Sequence, residues 1–457
     1  MRIIYLTFLS IISFISNAQW AGYNGNGGDN LWSNDANWAF PNGVTELATG
    51  QRIDFYVNPE TVTLDEVYTA KGLKIVAGKA NNFTVTGDNT LTIDIADADQ
   101  GNVNSGTFAI ESASTSATTL TLDCNVTIAN SVTPAQYKGV SVVSTARENT
   151  AENIIKFADG KTLTLAGTST TSFHGAGEVH IEGNLVGTQG ILLGSNANVT
   201  IGSSSSDLSG YTGDITVASG TELTIKSNGT TKILNSKIQV NGVGNPKLTL
   251  ESPDVFTPIE IRVSTKDNQT NRTLDIHCKE NQAFRTIRFK GADNQLNLII
   301  DPNVTSITFY ANNNEAYWST GSKLNIIGYK QGVIKFGNGN SSLNNGSLLD
   351  RILIDGAAPA SPLSLDVNGN LIGGTLSSDG INGFEFSIYP NPVNDVVRFT
   401  YGRSIISAKA YDIMGKEVIR KNNPNNSINT SSLVSGLYLL KLESEDGQIA
   451  TRKFVKQ

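Results

Sequence analysis

The most regular feature of the sequence is an alternation of apolar and polar residues in short runs. A period of two residues is typical of a strand with one buried face. In the clearest run every even position is apolar, and these positions are Leu120, Leu122, Cys124, Val126 and Ile128. The pattern predicts a strand over 120–128 with the Cys124 side chain in the core.

Similar runs recur from about residue 40 to residue 372, separated by Gly, Asn, Asp and Ser, and helical periodicity is nearly absent. A glycine turn followed by a Leu-x-apolar strand starts at Gly87, Gly160, Gly220 and Gly321. More than 300 residues of this signal exceed what one β-sandwich holds. We therefore predict an all-β chain in which residues 19–372 form a right-handed parallel β-helix (solenoid) with capping ends and coils of roughly 20 to 30 residues.

The first residues have the pattern of an export signal. Arg2 precedes the apolar run Ile3 to Ile15, and Ser16, Asn17 and Ala18 supply small residues at the cleavage position. Residues 1–18 are therefore predicted to be a signal peptide. No later stretch reaches 18 consecutive apolar residues, so we expect no transmembrane segment in the mature chain.

Charge and composition exclude several classes of partner. Charged residues make up 16 % of the chain, against a typical ~25 %, and the net charge is −7. A chain without a general basic surface is not expected to bind nucleic acid. Its three histidines make a multi-histidine metal site improbable.

The two cysteines are predicted to be free. Cys278 shares the inward face of its strand with Leu274 and Ile276, and it lies 154 residues from Cys124. In a stacked solenoid this separation places the two sulfurs beyond the ~7 Å Cα limit of a disulfide. We expect two buried thiols.

The last part of the chain differs in composition. Residues 373–383 have the composition of a flexible linker. Residues 384–457 hold ten Lys or Arg against seven Asp or Glu, whereas residues 20–383 hold 23 against 34. This change of sign predicts a separate domain. Its six or seven short strands suit a small immunoglobulin-like β-sandwich that ends in a hairpin.

Several motifs follow one another in this domain. It resembles the type A C-terminal sorting domain of the type IX secretion system of Bacteroidetes bacteria. The resemblance is based on short polar and aromatic motifs, whose principal residues are Tyr389, Pro390, Asn391, Pro392, Asp395, Gly415, Gly436, Tyr438, Lys453 and Phe454. Tyr389 and Tyr438 either contact the translocon or only pack the sandwich.

The resemblance implies a route and a location. The protein would cross the periplasm, leave through the type IX machinery and lose the sorting domain to a sortase-like peptidase. It would then be anchored to the outer surface of a Gram-negative bacterium or released from it.

Three tryptophans lie near the start of the predicted solenoid, in a segment that resembles the opening of autotransporter-like β-helix passengers. They are Trp20, Trp32 and Trp38. Such residues either cap the open apolar core of the first coil or stack on sugar rings as a ligand-binding site.

Two clusters are candidates for chemistry. Asp94, Asp97 and Asp99 have oxygen ligands for one Ca²⁺ or form a solvated turn, and no other cofactor is expected. A mixed cluster on two neighbouring strands could act in catalysis or form an exposed ion-pair ladder, and it comprises Asp275, His277, Lys279, Arg288 and Lys290. His174 and His180 are expected to be ordinary surface residues.

The favoured hypothesis is an exported, non-catalytic β-helix with a long polar face of Thr, Asn and Ser. It would act in adhesion, surface structure or glycan binding, with a glycan or another cell surface as partner. The alternative is an extracellular polysaccharide lyase or glycoside hydrolase. Fold alone does not establish an enzyme.

Overall fold

The computed structural model describes residues 20–457 except 41–45, 48, 56–59, 76–81, 96–107, 113–117, 132–137, 145–152, 176, 195, 219, 235–236, 242–243, 267, 312–315, 346, 375–385, 402–404, 413–414 and 446–448. The predicted signal peptide and most of the predicted linker lie outside the described residues. The chain divides into two compact units, Met1–Thr265 and Lys266–Gln457.

The first unit consists of short strands joined by turns, with a 3₁₀ turn at Asp35–Asn37. In chain order its strands are β1 (Trp20–Tyr23), β2 (Trp38–Ala39), β3 (Arg52–Phe55), β4 (Glu60–Thr63), β5 (Tyr68–Ala70), β6 (Gly72–Ile75), β7 (Asn82–Ile95), β8 (Phe108–Ser112), β9 (Thr119–Asn130), β10 (Lys138–Ser144), β11 (Ile154–Phe157), β12 (Thr162–Gly167), β13 (Thr171–Gly175), β14 (Glu178–Ile181), β15 (Asn184–Gly187), β16 (Ile191–Leu193), β17 (Asn198–Ile201), β18 (Ile215–Val217), β19 (Glu222–Ile225), β20 (Ile238–Val240), β21 (Lys247–Leu250) and β22 (Glu260–Val263).

These strands form two long sheets. The first has the order β2-β1-β3-β6-β8-β10-β13-β16-β18-β20-β22. The second has the order β15-β12-β9-β11-β14-β17-β19-β21, and β7 pairs with β9 on one side and with β4 and β5 on the other. Apart from the antiparallel pair β1 and β2, the neighbours described above run parallel wherever their register is known. The prediction of an all-β chain with extended parallel pairing is therefore confirmed.

The spacing of paired residues gives the length of one turn of chain. Val179 pairs with Val199, Val199 with Leu223 and Leu223 with Leu248, so the partners are 20, 24 and 25 residues apart. All four side chains are buried. Burying each Val or Leu contributes roughly 1.5–3 kcal/mol, and stacking them in register fills the space behind the sheet.

Strand β9 shows how the alternation becomes a core. Partly exposed and buried side chains alternate without a break from Thr119 to Asn130. Cys124 is buried and free, as is Cys278 in the second unit, which confirms the prediction of two core thiols. Burial raises the pKa of the Cys124 thiol to about 12, because the thiolate would lose its hydration.

The second unit begins with further strands of the same kind and ends in a different arrangement. It also has one helical turn, α1 (Ser342–Asn345), and a 3₁₀ turn at Leu349–Arg351. Its strands are β23 (Thr273–Cys278), β24 (Gln282–Phe284), β25 (Thr286–Phe289), β26 (Gln295–Ile300), β27 (Ile307–Phe309), β28 (Lys323–Ile327), β29 (Ile334–Phe336), β30 (Ile352–Ile354), β31 (Leu363–Leu365), β32 (Leu371–Gly373), β33 (Phe386–Tyr389), β34 (Val396–Tyr401), β35 (Ile405–Asp412), β36 (Glu417–Asn422), β37 (Ser427–Asn429), β38 (Gly436–Ser444) and β39 (Ile449–Lys456).

Parallel pairing continues in the first part of this unit, in the orders β23-β26-β28-β30 and β24-β27-β29. A stack of aromatic side chains lies along the sheet β24-β27-β29. The rings of Phe284 and Phe309 are stacked with centroids 5.5 Å apart, and those of Phe309 and Phe336 are 5.1 Å apart. All three are fully buried, so the stack forms the core behind this sheet.

The last seven strands are antiparallel and form two sheets, β33-β34-β37 and β36-β35-β38-β39. Both sheets contribute to one core, which includes Val397 and Phe399 from the smaller sheet and Leu440, Leu442 and Phe454 from the larger. The predicted terminal hairpin is confirmed as β38–β39, and β33–β34 and β35–β36 are further antiparallel pairs.

Candidate functional site

The Tyr389–Pro392 turn is tied to the last strand. The amide of Val455 donates to Asn391 Oδ1 at 2.9 Å, and Asn391 Nδ2 donates to the Lys453 carbonyl at 3.5 Å. The Val393 amide also donates to the Val455 carbonyl at 2.7 Å. The turn is thereby fixed beside the C-terminal end of β39, and its four residues are exposed.

Two other motif residues belong to the core. Tyr438 and Phe454 are buried, and their rings are stacked with centroids 5.6 Å apart. The Tyr438 hydroxyl donates to the Val434 carbonyl at 2.9 Å, which satisfies its polar end. For Tyr438, this geometry agrees with packing in the sandwich rather than with contact to the translocon. Tyr389, by contrast, is 48 % exposed.

The remaining motif residues shape turns and strand ends. Gly415 has φ +80° in the turn between β35 and β36, where a side chain would be strained. The carbonyl of Asp395 accepts the Thr430 amide at 2.7 Å, and Gly436 starts β38 at an exposed position. The structure thus separates the motif into a core part, a turn part and an exposed part.

The exposed part continues across the outer face of the larger sheet. Leu437 pairs directly with Val455, and Leu439 pairs with Lys453. Leu437 is 46 % exposed, Leu439 is 42 % exposed and Val455 is 40 % exposed. We call this surface the sorting face and define it as Leu437, Leu439, Lys441, Lys453 and Val455 together with Lys409.

Lysines border the apolar part of this face. Lys441 follows Leu439 on the outer side of β38 and pairs across the sheet with Lys409. The neighbouring Arg420 is engaged by Glu417, with Nε to Oε1 at 2.7 Å. Hydrogen bonds from Arg420 hold the pKa of Glu417 below its ordinary value, so the carboxylate stays charged.

Leu439 and Lys409 were not among the predicted site residues. The signal for Leu439 was present in the strand GLYLLKL, where 438, 440 and 442 alternate with 437, 439 and 441. Once the first set is buried, the second must face outward. Lys409 could not be found in this way, because its neighbours come from a different strand.

The first unit carries a second regular surface. Thr69, Thr92, Thr127 and Thr164 are successive partners on β5, β7, β9 and β12. Thr61, Thr84 and Thr121 form a parallel column on β4, β7 and β9. We call these seven residues the threonine face. Adjacent members of a column lie about 4.8 Å apart, the spacing of paired strands.

The threonine face is directed outward. Leu91, Val126 and Leu163, which alternate with its members, are buried, whereas the threonines retain contact with solvent. Each threonine therefore presents a hydroxyl and a methyl group at a repeating position. Polar residues on this surface were expected, but their alignment into columns was not.

The tryptophans predicted as a ligand site do not present their rings to solvent. Trp32 is 0 % and Trp38 is 4 % exposed, and their rings meet edge to face with centroids 5.0 Å apart. Trp38 Nε1 donates to the Trp32 carbonyl at 2.8 Å. A packing role at the start of the first unit agrees with this burial, whereas stacking of these rings on a sugar does not. The side chain of Trp20 lies outside the described residues.

The candidate Ca²⁺ ligands are mostly undescribed. Asp94 is exposed at the end of β7, and Asp97 and Asp99 lie outside the described residues. Within the described part of the chain no three His, Cys, Asp or Glu side chains converge on a metal-sized space. The Ca²⁺ hypothesis for Asp94, Asp97 and Asp99 stays a prediction.

The mixed cluster is divided among several separate contacts. Asp275 accepts from Asn297 Nδ2 at 2.6 Å, His277 Nε2 lies 2.5 Å from Asp301 Oδ1, and the Arg288 guanidinium lies over the Tyr317 ring. Each of these three groups thus has a partner of its own.

The other two histidines are only partly exposed. His180 Nε2 lies 2.7 Å from Glu178 Oε2. Burial lowers the pKa of His174, since the charged ring would lose hydration.

Comparison with known proteins identifies the end of the chain. Residues 387–457 match the family described as the secretion system C-terminal sorting domain. No curated protein and no solved structure shows a significant match to the chain. Within the described residues, no helix has the length and hydrophobicity to span a membrane. The match covers both antiparallel sheets, the Tyr389–Pro392 turn and the sorting face, so the last part of the chain is a C-terminal sorting domain that indicates secretion by the type IX route.

Proposed function

We propose that this protein is a non-catalytic binding protein delivered to the cell surface or the medium by the type IX secretion system. Its first residues would direct it into the periplasm of a Gram-negative bacterium, and the sorting domain would direct it across the outer membrane. A sortase-like peptidase then removes that domain. The match at residues 387–457 supports the route.

The part that remains is proposed to be a right-handed parallel β-helix, and the sorting domain an immunoglobulin-like sandwich. Parallel partners 20 to 37 residues apart support the first proposal, because each coil then adds one strand to each sheet. Two antiparallel sheets with a common core support the second.

The threonine face is the proposed binding surface, and an extended polysaccharide is the proposed ligand. Sugar hydroxyls exchange hydrogen bonds with threonine hydroxyls, and the methyl groups contact the apolar faces of sugar rings. A linear polymer also repeats, so it can follow a column such as Thr69, Thr92, Thr127 and Thr164. This column is the observation that carries the proposal.

Binding to a panel of insoluble and soluble polysaccharides tests this function. The purified full chain is expected to be retained by at least one polymer without releasing new reducing ends or unsaturated products. Thr127→Val combined with Thr164→Val removes two hydroxyls and keeps the strand, since valine favours β structure. At about 0.5–1.5 kcal/mol per hydrogen bond, we expect affinity to fall about tenfold.

Thr216→Val is the matched control, because Thr216 is a partly exposed strand residue of the other sheet in the same unit. Equal loss with the control, or full retention with the double variant, would refute the threonine face as the binding surface. Release of cleaved product would instead support the polysaccharide-degrading alternative.

A further inference from the structure

Half of the outer face of β38 and β39 is apolar although the sheet already has a complete core. Tyr438, Leu440 and Leu442 fill that core from the inner side of β38 and are at most 5 % exposed. Leu437, Leu439 and Val455 lie on the opposite side, 40 % to 46 % exposed. A solvent-facing sheet surface is ordinarily polar. Adjacent apolar residues on such a face indicate an interaction surface rather than a contribution to folding.

The charges around this patch have one sign at its border. Lys453 is the cross-strand partner of Leu439, and Lys441 is the cross-strand partner of Lys409. Among the described acidic residues near the patch, Asp412 is the cross-strand partner of the inward-facing Tyr438. Glu443 is next on the outer side of β38, and Glu417 is engaged by Arg420. Three lysines therefore border the apolar patch.

The Tyr389–Pro392 turn extends the same surface. Hydrogen bonds between Asn391 and β39 hold the turn beside Lys453 and Val455. Tyr389 adds a 48 % exposed aromatic ring to this turn. Aromatic and aliphatic anchors bordered by charge have the composition of the energetic centre of a protein interface.

We propose that the sorting face docks the sorting domain onto a protein of the secretion machinery whose surface is apolar at its centre and carries carboxylates at its border. Charge complementarity selects the acidic border, because Lys409, Lys441 and Lys453 surround the patch on this chain. A protein partner fits the small number of anchors, whereas a membrane-binding surface needs a larger apolar face that inserts among the lipid chains. This inference rests on the proposed export by the type IX route.

Export of the full chain from a bacterium with a working type IX system tests the docking surface. Two double variants are compared with the unaltered chain: Leu437→Ser with Leu439→Ser, and Lys441→Glu with Lys453→Glu. Each is expected to lower the fraction of the protein found on the cell surface and in the medium about tenfold, with the remainder retained inside the cell. Val434→Ser and Lys416→Glu are the matched controls, because both residues are exposed on the same domain outside the sorting face. The controls are expected to be exported as the unaltered chain is.

Folding is monitored by protease resistance of the purified full chain, which should be unchanged because the altered side chains are exposed.

Deletion of 386–457 separates the proposed docking surface from the proposed export route. If the deletion leaves export unchanged, the type IX route itself is refuted.

If the deletion blocks export but both sorting-face variants are exported normally, the route stands and the docking surface is overturned. The lipid alternative is tested with vesicles of phosphatidylglycerol and phosphatidylcholine. Binding of the full chain that the sorting-face variants abolish would overturn a protein partner in favour of a lipid.

Discussion

At the scale of single residues, the turns between strands are decided by contacts that leave no room for a side chain. Gly167 ends β12 with φ +97°, and a Cβ placed there would lie 2.2 Å from the Asn130 carbonyl oxygen. Asn130 is itself buried, and its side-chain amide donates to the Thr170 carbonyl at 2.8 Å. Neither group can move aside without breaking the turn between β12 and β13.

Gly167→Ala is therefore expected to lower the free energy of unfolding by about 3 kcal/mol, from backbone strain and a clash with a fixed carbonyl. Gly160→Ala is the control, because Gly160 has φ +73° but no atom within 4 Å of a new Cβ. Its expected cost is about 1–2 kcal/mol, from strain alone. Urea denaturation followed by circular dichroism measures both. Equal destabilisation would show that the close approach to Asn130 has no effect.

At the scale of elements, strands were predictable where their alternation is local. The alternation in β9 and in β38 indicates both the strand and the direction of its side chains. Which strands become neighbours was not predictable, because partners lie 20 to 37 residues apart and turn lengths set their register. The threonine columns exist only after β5, β7, β9 and β12 are aligned, so no single segment of sequence contains them.

The same limit applied to the candidate sites. The Tyr389–Pro392 turn could be recognised from its own sequence, whereas Lys409 joins the sorting face only through its pairing with Lys441. The tryptophans show the opposite case. Three nearby tryptophans in a sequence are as compatible with a sugar-binding site as with a core. The burial of Trp32 and Trp38 depends on neighbours such as Tyr68 that are distant in sequence.

The phenylalanine stack of β24, β27 and β29 is predicted to stabilise the sheet that these three strands form. Phe309 contacts a ring on either side, so Phe309→Ala opens a cavity in the middle of the stack. We expect a loss of about 3–5 kcal/mol in the free energy of unfolding. Thr308→Ala on the outer side of the same strand should change it by no more than about 0.5 kcal/mol. Denaturant midpoints measure both, and similar values would contradict a core role for the stack.

At the scale of the whole molecule, charge is divided between the exported part and its sorting domain. Residues 384–457 carry a net charge of +3, and residues 20–383 carry −11. The sorting face lies in the positive part, so the feature proposed to bind the machinery is electrostatically unlike the remainder of the chain. The proposed removal of the domain would therefore leave a more acidic protein.

Isoelectric focusing tests that consequence. The full chain has an expected isoelectric point near 5.2, and the processed protein from the medium should focus at a lower pH. Sorting-face variants that are retained in cells should keep the isoelectric point of the unprocessed chain. A secreted protein with an unchanged isoelectric point would contradict removal of the domain.

The pairing of each parallel strand with its immediate neighbours also bears on how such a protein changes in evolution. Val199 pairs with Val179 on β14 and with Leu223 on β19, the strands on either side of it. Gain or loss of one complete repeat by recombination would therefore leave the other pairs in register. The two sheets would then grow or shrink by whole strands, while the sorting domain at 387–457 remains unaltered.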